Sequence, residues 1–83
     1  MNNTNQLSNM MFSSVRKLDA EELLLIESVL ADMACVISAH QGGEHHEHHG
    51  RHFKVAYDPN CLSSHDILAK LAELGVEARI VGL

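Results

Sequence analysis

The chain has 83 residues, 46% of them hydrophobic, enough for one small domain. A domain of this size buries only about 60% of its unfolded surface, so its core must be compact. The formal net charge is −5, and the six basic residues (Arg16, Lys17, Arg51, Lys54, Lys70, Arg79) form no block, which argues against nucleic acid and against an anionic membrane surface.

No apolar run approaches the roughly 20 residues needed to span a bilayer, so direct membrane insertion is not expected. The start, MNNTNQLSN, lacks the basic and apolar parts of a signal peptide and reads as a disordered lead-in over residues 1–9. Residues 10–83 read as a single domain. Two cysteines, Cys35 and Cys61, are too few for a secreted disulfide framework. They read as two buried or incidental thiols, one after the first helix and one before the second, which the topology puts at the same end of the fold, with a second metal or redox pair as the lesser alternative; the expected location is cytoplasmic.

In chain order, Met10 to Val15 is a short first strand. Asp19 then opens a helix, with Asp19 and Glu22 spaced as a capping box and acidic residues in the first turn, where the helix dipole favours them. Leu23, Ile26, Leu30 and Met33 recur at three and four residues, giving one buried face and an end near Met33 or Ala34. Cys35 to His40 reads as a second strand. After a polar stretch, Phe53, Val55 and Tyr57 alternate with His52, Lys54 and Ala56, the period of a half-buried third strand. Asp58-Pro59-Asn60 is a turn. Ser63 or Ser64 caps a second helix whose apolar face is Ile67, Leu68, Leu71 and Leu74, and Gly75 ends it. Val76 to Val81 is the last strand. Strand, helix, strand, strand, helix, strand indicates an α+β, ferredoxin-like βαββαβ sandwich: a four-stranded antiparallel sheet with both helices on one face. The second and fourth strands are the expected edges.

The polar stretch carries the chemistry. Six of the seven histidines fall within the thirteen residues HQGGEHHEHHGRH, from His40 to His52. Neutral imidazole is the commonest protein ligand for borderline metal ions. His45, His46, His48, His49, His52 and His40 are therefore candidate ligands, with Glu44 and Glu47 as oxygen donors. If the loop at 41–51 is extended, His46 and His48 face one way while His45, Glu47 and His49 face the other. If it coils, His45 and His49, or His48 and His52, become neighbours. These donors suit Zn(II) or Ni(II) first, then Co(II) or Cu(II), and not Cu(I). The metalloprotease spacing H-E-x-x-H fails, because Gly50 stands where the second histidine would be. No nucleophile, base and orienting group assemble, so the chain is not expected to be an enzyme.

FKVAYDPNCLSSHDILAKLAELGVEARIV, from Phe53 to Val81, resembles the heavy-metal-associated domains of soft-metal P-type ATPases and small metallochaperones. LDAEELLLIESVLADMACV resembles the first half of their zinc and cadmium branch, so the likeness covers roughly Val15 to Val81. The resemblance implies the same sandwich and a metal-carrying role. In that family the metal is held at the start of the first helix by two cysteines, or by one cysteine and an acidic residue. Here Ala20 and Leu23 stand at the two cysteine positions. Of the family's ligand segment, only Asp19 carries over as a candidate ligand. In this topology the loop before the first helix and the loop between the second and third strands share one end of the sheet. The expectation is a relocated site, with imidazole and carboxylate from the His-rich loop meeting the end where Asp19, Glu21 and Glu22 lie. Such a domain would serve as a chaperone or as the N-terminal regulatory domain of a cation-transporting ATPase, its partners being the metal ion and a membrane metal transporter or that transporter's other domains. The alternative is a protein-interaction module whose His loop is a spacer or a pH-sensitive element.

Overall fold

The computed structural model describes residues 7–42 and 51–81. Its elements are β1 (Ser8–Ser14), α1 (Ala20–Ala31), β2 (Val36–Gln41), β3 (His52–Tyr57), α2 (Ser64–Glu73) and β4 (Ala78–Ile80). The strands form one sheet in the order β2-β3-β1-β4, every neighbouring pair antiparallel. This is the ferredoxin-like sandwich, with β2 and β4 at its edges as expected.

Alternation decides which face each strand buries. Met10, Phe12 and Ser14 of β1 and Phe53, Val55 and Tyr57 of β3 lie under the helices, while Met11, Ser13, Lys54 and Ala56 lie on the opposite face. Leu23, Ile26 and Leu30 of α1 and Ile67 and Leu71 of α2 complete the core. Phe12 and Phe53 face each other across the β1–β3 ladder and stack with ring centroids 5.3 Å apart. Both are fully buried, each side chain contributing roughly 1.5–3 kcal/mol.

Four boundaries differ from the sequence expectation. β1 begins at Ser8, within the stretch read as lead-in, because it pairs with β3 as far as Ser8 opposite Tyr57. α1 stops at Ala31, and Met33 instead enters a tight turn in which its amide donates to Leu30 and its carbonyl accepts from Val36. β2 is displaced by one residue to Val36–Gln41. β4 is only three residues long, because Val76 belongs to the end of α2. There Gly75, at φ 81°, lets Val76 N–H reach the Leu71 carbonyl at 2.9 Å and Gly75 N–H reach Ala72 at 2.9 Å. That is a Schellman termination, with Val76 buried beside Leu71.

The cysteines require a correction. Cys35 and Cys61 are joined as a disulfide, their Cα atoms 6.0 Å apart, rather than standing as two incidental thiols. The topology brings the α1–β2 turn against the β3–α2 turn. Asp58 N–H donates to the Cys35 carbonyl at 2.9 Å, and Cys61 N–H donates to the Asp58 carbonyl at 3.1 Å. Among the described residues, no helix is long and apolar enough to cross a membrane.

Candidate metal centre

The end of the sheet opposite the disulfide is built by the β1–α1 connection and by the two ends of the His-rich loop. In the connection, the buried Ser14 hydroxyl donates to the Arg16 carbonyl at 2.5 Å, and Leu18 is inserted into the core. Asp19 follows as the N-cap of α1. Its Oδ1 accepts from Glu22 N–H at 2.9 Å, and Glu22 Oε1 accepts from Asp19 N–H at 3.2 Å. One oxygen of Asp19 is thus committed to the cap.

Glu22 is engaged further. The Arg16 guanidinium donates to both its oxygens, at 3.0 and 2.7 Å. That pair of charge-assisted bonds, then the Asp19 backbone bond, holds the Glu22 carboxyl down at about 2, while Arg16 is raised above its usual value. Glu22 is therefore a neutralised structural carboxylate. Glu21, by contrast, sits exposed in the first turn of α1.

Each end of the loop is tied down. Gln41 N–H donates to Glu27 Oε2 of α1 at 2.7 Å, fixing the outgoing end. Arg51 donates to the Val15 carbonyl at 3.1 Å, and Ser14 N–H donates to the Arg51 carbonyl at 2.8 Å, fixing the returning end against the β1–α1 connection. Between them, Gly42 N–H donates to the His52 carbonyl at 2.7 Å and closes the mouth of the loop. A Cβ at Gly42 would stand in ordinary van der Waals contact with the His52 Cβ, at 3.4 Å.

His40 and His52 flank that mouth. His40 pairs with Lys54 across the β2–β3 ladder, and His52 lies two residues before Lys54 on the same strand. Alternation puts both imidazoles on the sheet face away from the helices, as diagonal neighbours, a spacing of about 7–8 Å between such positions. His40 is exposed and His52 half-buried. Asp19 belongs to the helical layer at the same end, so the fold brings these residues to one end but onto different faces. His45, His46, His48, His49, Glu44 and Glu47 lie outside the described residues. Among the described residues, no group of three or more histidine, cysteine or acidic side chains is close enough together to hold a metal ion. His65 is exposed in the first turn of α2, away from this end.

Sequence reasoning missed the groups that frame this end: Arg16 on Glu22, Glu27 on Gln41, and Arg51 on Val15. The first joins residues six apart across a helix cap, and the other two span 14 and 36 residues. None of the three has a periodic signal.

No family pattern matches the chain, and no curated protein matches it in sequence. Solved structures do. Oxidized MerP from Ralstonia metallidurans CH34 superposes with a TM-score of 0.77 at 12% identity, over 92% of this chain and 99% of that one. The N-terminal soluble domains of Bacillus subtilis CopA superpose with a TM-score of 0.71 at 21% identity, over 87% of this chain and 46% of that one. At these identities the likeness is one of fold.

Proposed function

We propose that the chain is a heavy-metal-associated domain that binds a divalent transition-metal ion, Zn(II) or Ni(II) in first place, through its His-rich loop. The observation that carries this reading is the loop's anchoring: four histidines lie in one connection whose mouth is closed by the Gly42–His52 hydrogen bond and flanked by two more, His40 and His52, on one face of the sheet. The fold likeness to MerP and to the CopA domains, together with the sequence resemblance, supports the family assignment.

In this reading His45, His46, His48 and His49 supply the first ligands, His52 or His40 completes the set from the sheet, and Glu44, Glu47 and Asp19 offer oxygen donors. Imidazole must be neutral to bind, so capture releases protons. Closing the six residues between Gly43 and Gly50 around an ion costs conformational entropy, which keeps affinity modest and exchange fast, as transfer to a transporter requires. The role is carriage or regulation, with no catalytic step. Cytoplasmic placement belongs to the same reading, and there the Cys35–Cys61 pair would spend time reduced.

The test is calorimetric titration of Zn(II) and Ni(II), separately, into the wild-type chain and into a variant with His45, His46, His48 and His49 all replaced by alanine. Binding in the first and its loss in the second, with unchanged circular dichroism, supports the reading. Equal binding in both removes the loop from the site. The interaction-module alternative predicts no metal binding by either chain.

A further inference from the structure

The Cys35–Cys61 pair stands at the end of the sheet opposite the His-rich loop. Cys35 occupies the turn between α1 and β2 in the left-handed region, at φ 75°, a conformation that a residue with a Cβ adopts only when its surroundings hold it there. Cys61 follows the Asp58–Pro59–Asn60 turn and is exposed. The two lie 26 residues apart in sequence, yet their Cα atoms are 6.0 Å apart. Both line a groove of about 450 Å³ that Met33 and Lys70 also line.

We infer that the reduced Cys35–Cys61 pair, assisted by the Met33 thioether, is a second metal site, one for a soft monovalent ion such as Cu(I). Thiolate and thioether are the donors that select such ions, and the imidazoles and carboxylates of the other end are not. Coordination number points the same way. A tetrahedral ion such as Zn(II) needs four ligands, and the acidic residues lining the groove are already engaged: one Asp66 oxygen accepts from both the Ser63 amide and its hydroxyl at 3.0 Å, and Glu73 is ion-paired with Lys70 at 3.4 Å. Two thiolates and a thioether satisfy Cu(I).

Thiolate–metal bonds of roughly 2.3 Å put two thiolates on one ion up to roughly 4.6 Å apart. Rotation of the two side chains about χ1 spans that range from Cα atoms 6.0 Å apart. Reduction must come first. A small dithiol transfers two electrons and two protons to the disulfide, leaves two thiols, and closes to its own cyclic disulfide. Cu(I) then displaces both thiol protons to solvent and forms two S–Cu bonds, with no change in its oxidation state. The disulfide thereby gates the site: oxidised, it offers no thiolate.

The test titrates Cu(I), against a chromogenic competing chelator, into the full chain in both redox states. The reduced sample is freed of dithiol and handled without oxygen. The reduced chain should take one equivalent and the oxidised chain none. Cys35→Ser and Cys61→Ser should each weaken binding at least about tenfold, and Met33→Leu, a volume-conserving change, should weaken it by less. The variant lacking His45, His46, His48 and His49 should bind Cu(I) as wild type does. A readout independent of any variant is alkylation: bound Cu(I) should protect both wild-type thiols from iodoacetamide. Equal binding by both redox states, full binding by either serine variant, unprotected thiols, or loss of binding in the His variant would overturn the inference. Zn(II) or Ni(II) binding by the oxidised chain is read separately, so failure here leaves the His-loop reading standing, and the reverse also holds.

Discussion

The amide of Gly42 donates to the carbonyl of His52 at 2.7 Å, which among the described residues is the bond between β2 and β3 nearest the His-rich loop. This bond turns a polar connection into a loop with a fixed mouth. It also puts His52 one strand from His40, diagonally, on the face that the helices leave uncovered. A donor on a strand is already oriented by the ladder that holds it.

Replacing His40 and His52 together by alanine should therefore lower Zn(II) affinity by about tenfold, equivalent to about 1.4 kcal/mol. The fold should be retained, because both imidazoles lie outside the core. Calorimetry paired with circular dichroism checks this. An unchanged affinity would confine the ligands to the loop itself.

Asp19 has two roles that one pair of variants separates. Asp19→Ala removes the N-cap of α1 and should cost about 1 kcal/mol in a urea melt. Asp19→Asn keeps a capping oxygen and should lie within about 0.5 kcal/mol of wild type, while losing the charge that a ligand needs. If Asp19 joins the coordination sphere, Asn lowers metal affinity severalfold without a stability change.

Stability and metal binding respond to acid in different windows. The folded Glu22 carboxyl is lowered from 4.5 to about 2 by its bonds to Arg16 and to the Asp19 amide. Its unfolded form binds more protons, so the stabilisation is complete above about 4.5 and is lost as pH falls toward 2. Asp66, lowered by the Ser63 amide and then the Ser63 hydroxyl, acts in the same direction. Glu22→Gln should flatten the melting temperature across that range. Metal affinity should instead decline below about pH 6.5, where free imidazole protonates. Melting curves and titrations at matched pH distinguish the two.

Gly75 terminates α2 at φ 81°, and nothing lies within 4 Å of where a Cβ would stand. Gly75→Ala therefore carries a backbone cost with no clash, about 1–2 kcal/mol in a denaturant melt. A neutral substitution would mean that the α2–β4 turn relaxes.

The fold was legible because its local signals agree with one another. Phe53, Val55 and Tyr57 alternate, Asp19–Glu22 and Ser63–Asp66 are both capping boxes in the structure, and the order of the elements allows few topologies. Boundaries were less legible where tertiary pairing overrode pattern. Ser8 and Asn9 look like a polar lead-in, yet they form ladder with β3, and Val76 looks like strand, yet it closes a helix. The disulfide left no spacing motif, since Cys35 and Cys61 meet only through the packing of two turns. The His-rich loop was conspicuous from composition. The clamps at its ends were not, because Arg51 on Val15 and Glu27 on Gln41 are contacts between elements rather than within them.

The metal predictions rest on one proposal, capture of a divalent ion by the His-rich loop at the mouth that Gly42 and His52 close. Its most direct test is titration of the isotopically labelled chain with Zn(II), and separately with Ni(II), at neutral pH, following imidazole and backbone NMR signals. Selective changes are expected in His45, His46, His48, His49 and His52, with smaller ones near Asp19 and Glu21 and none at Cys35 or Cys61. No response at micromolar metal, or changes confined to residues outside the loop, would contradict it.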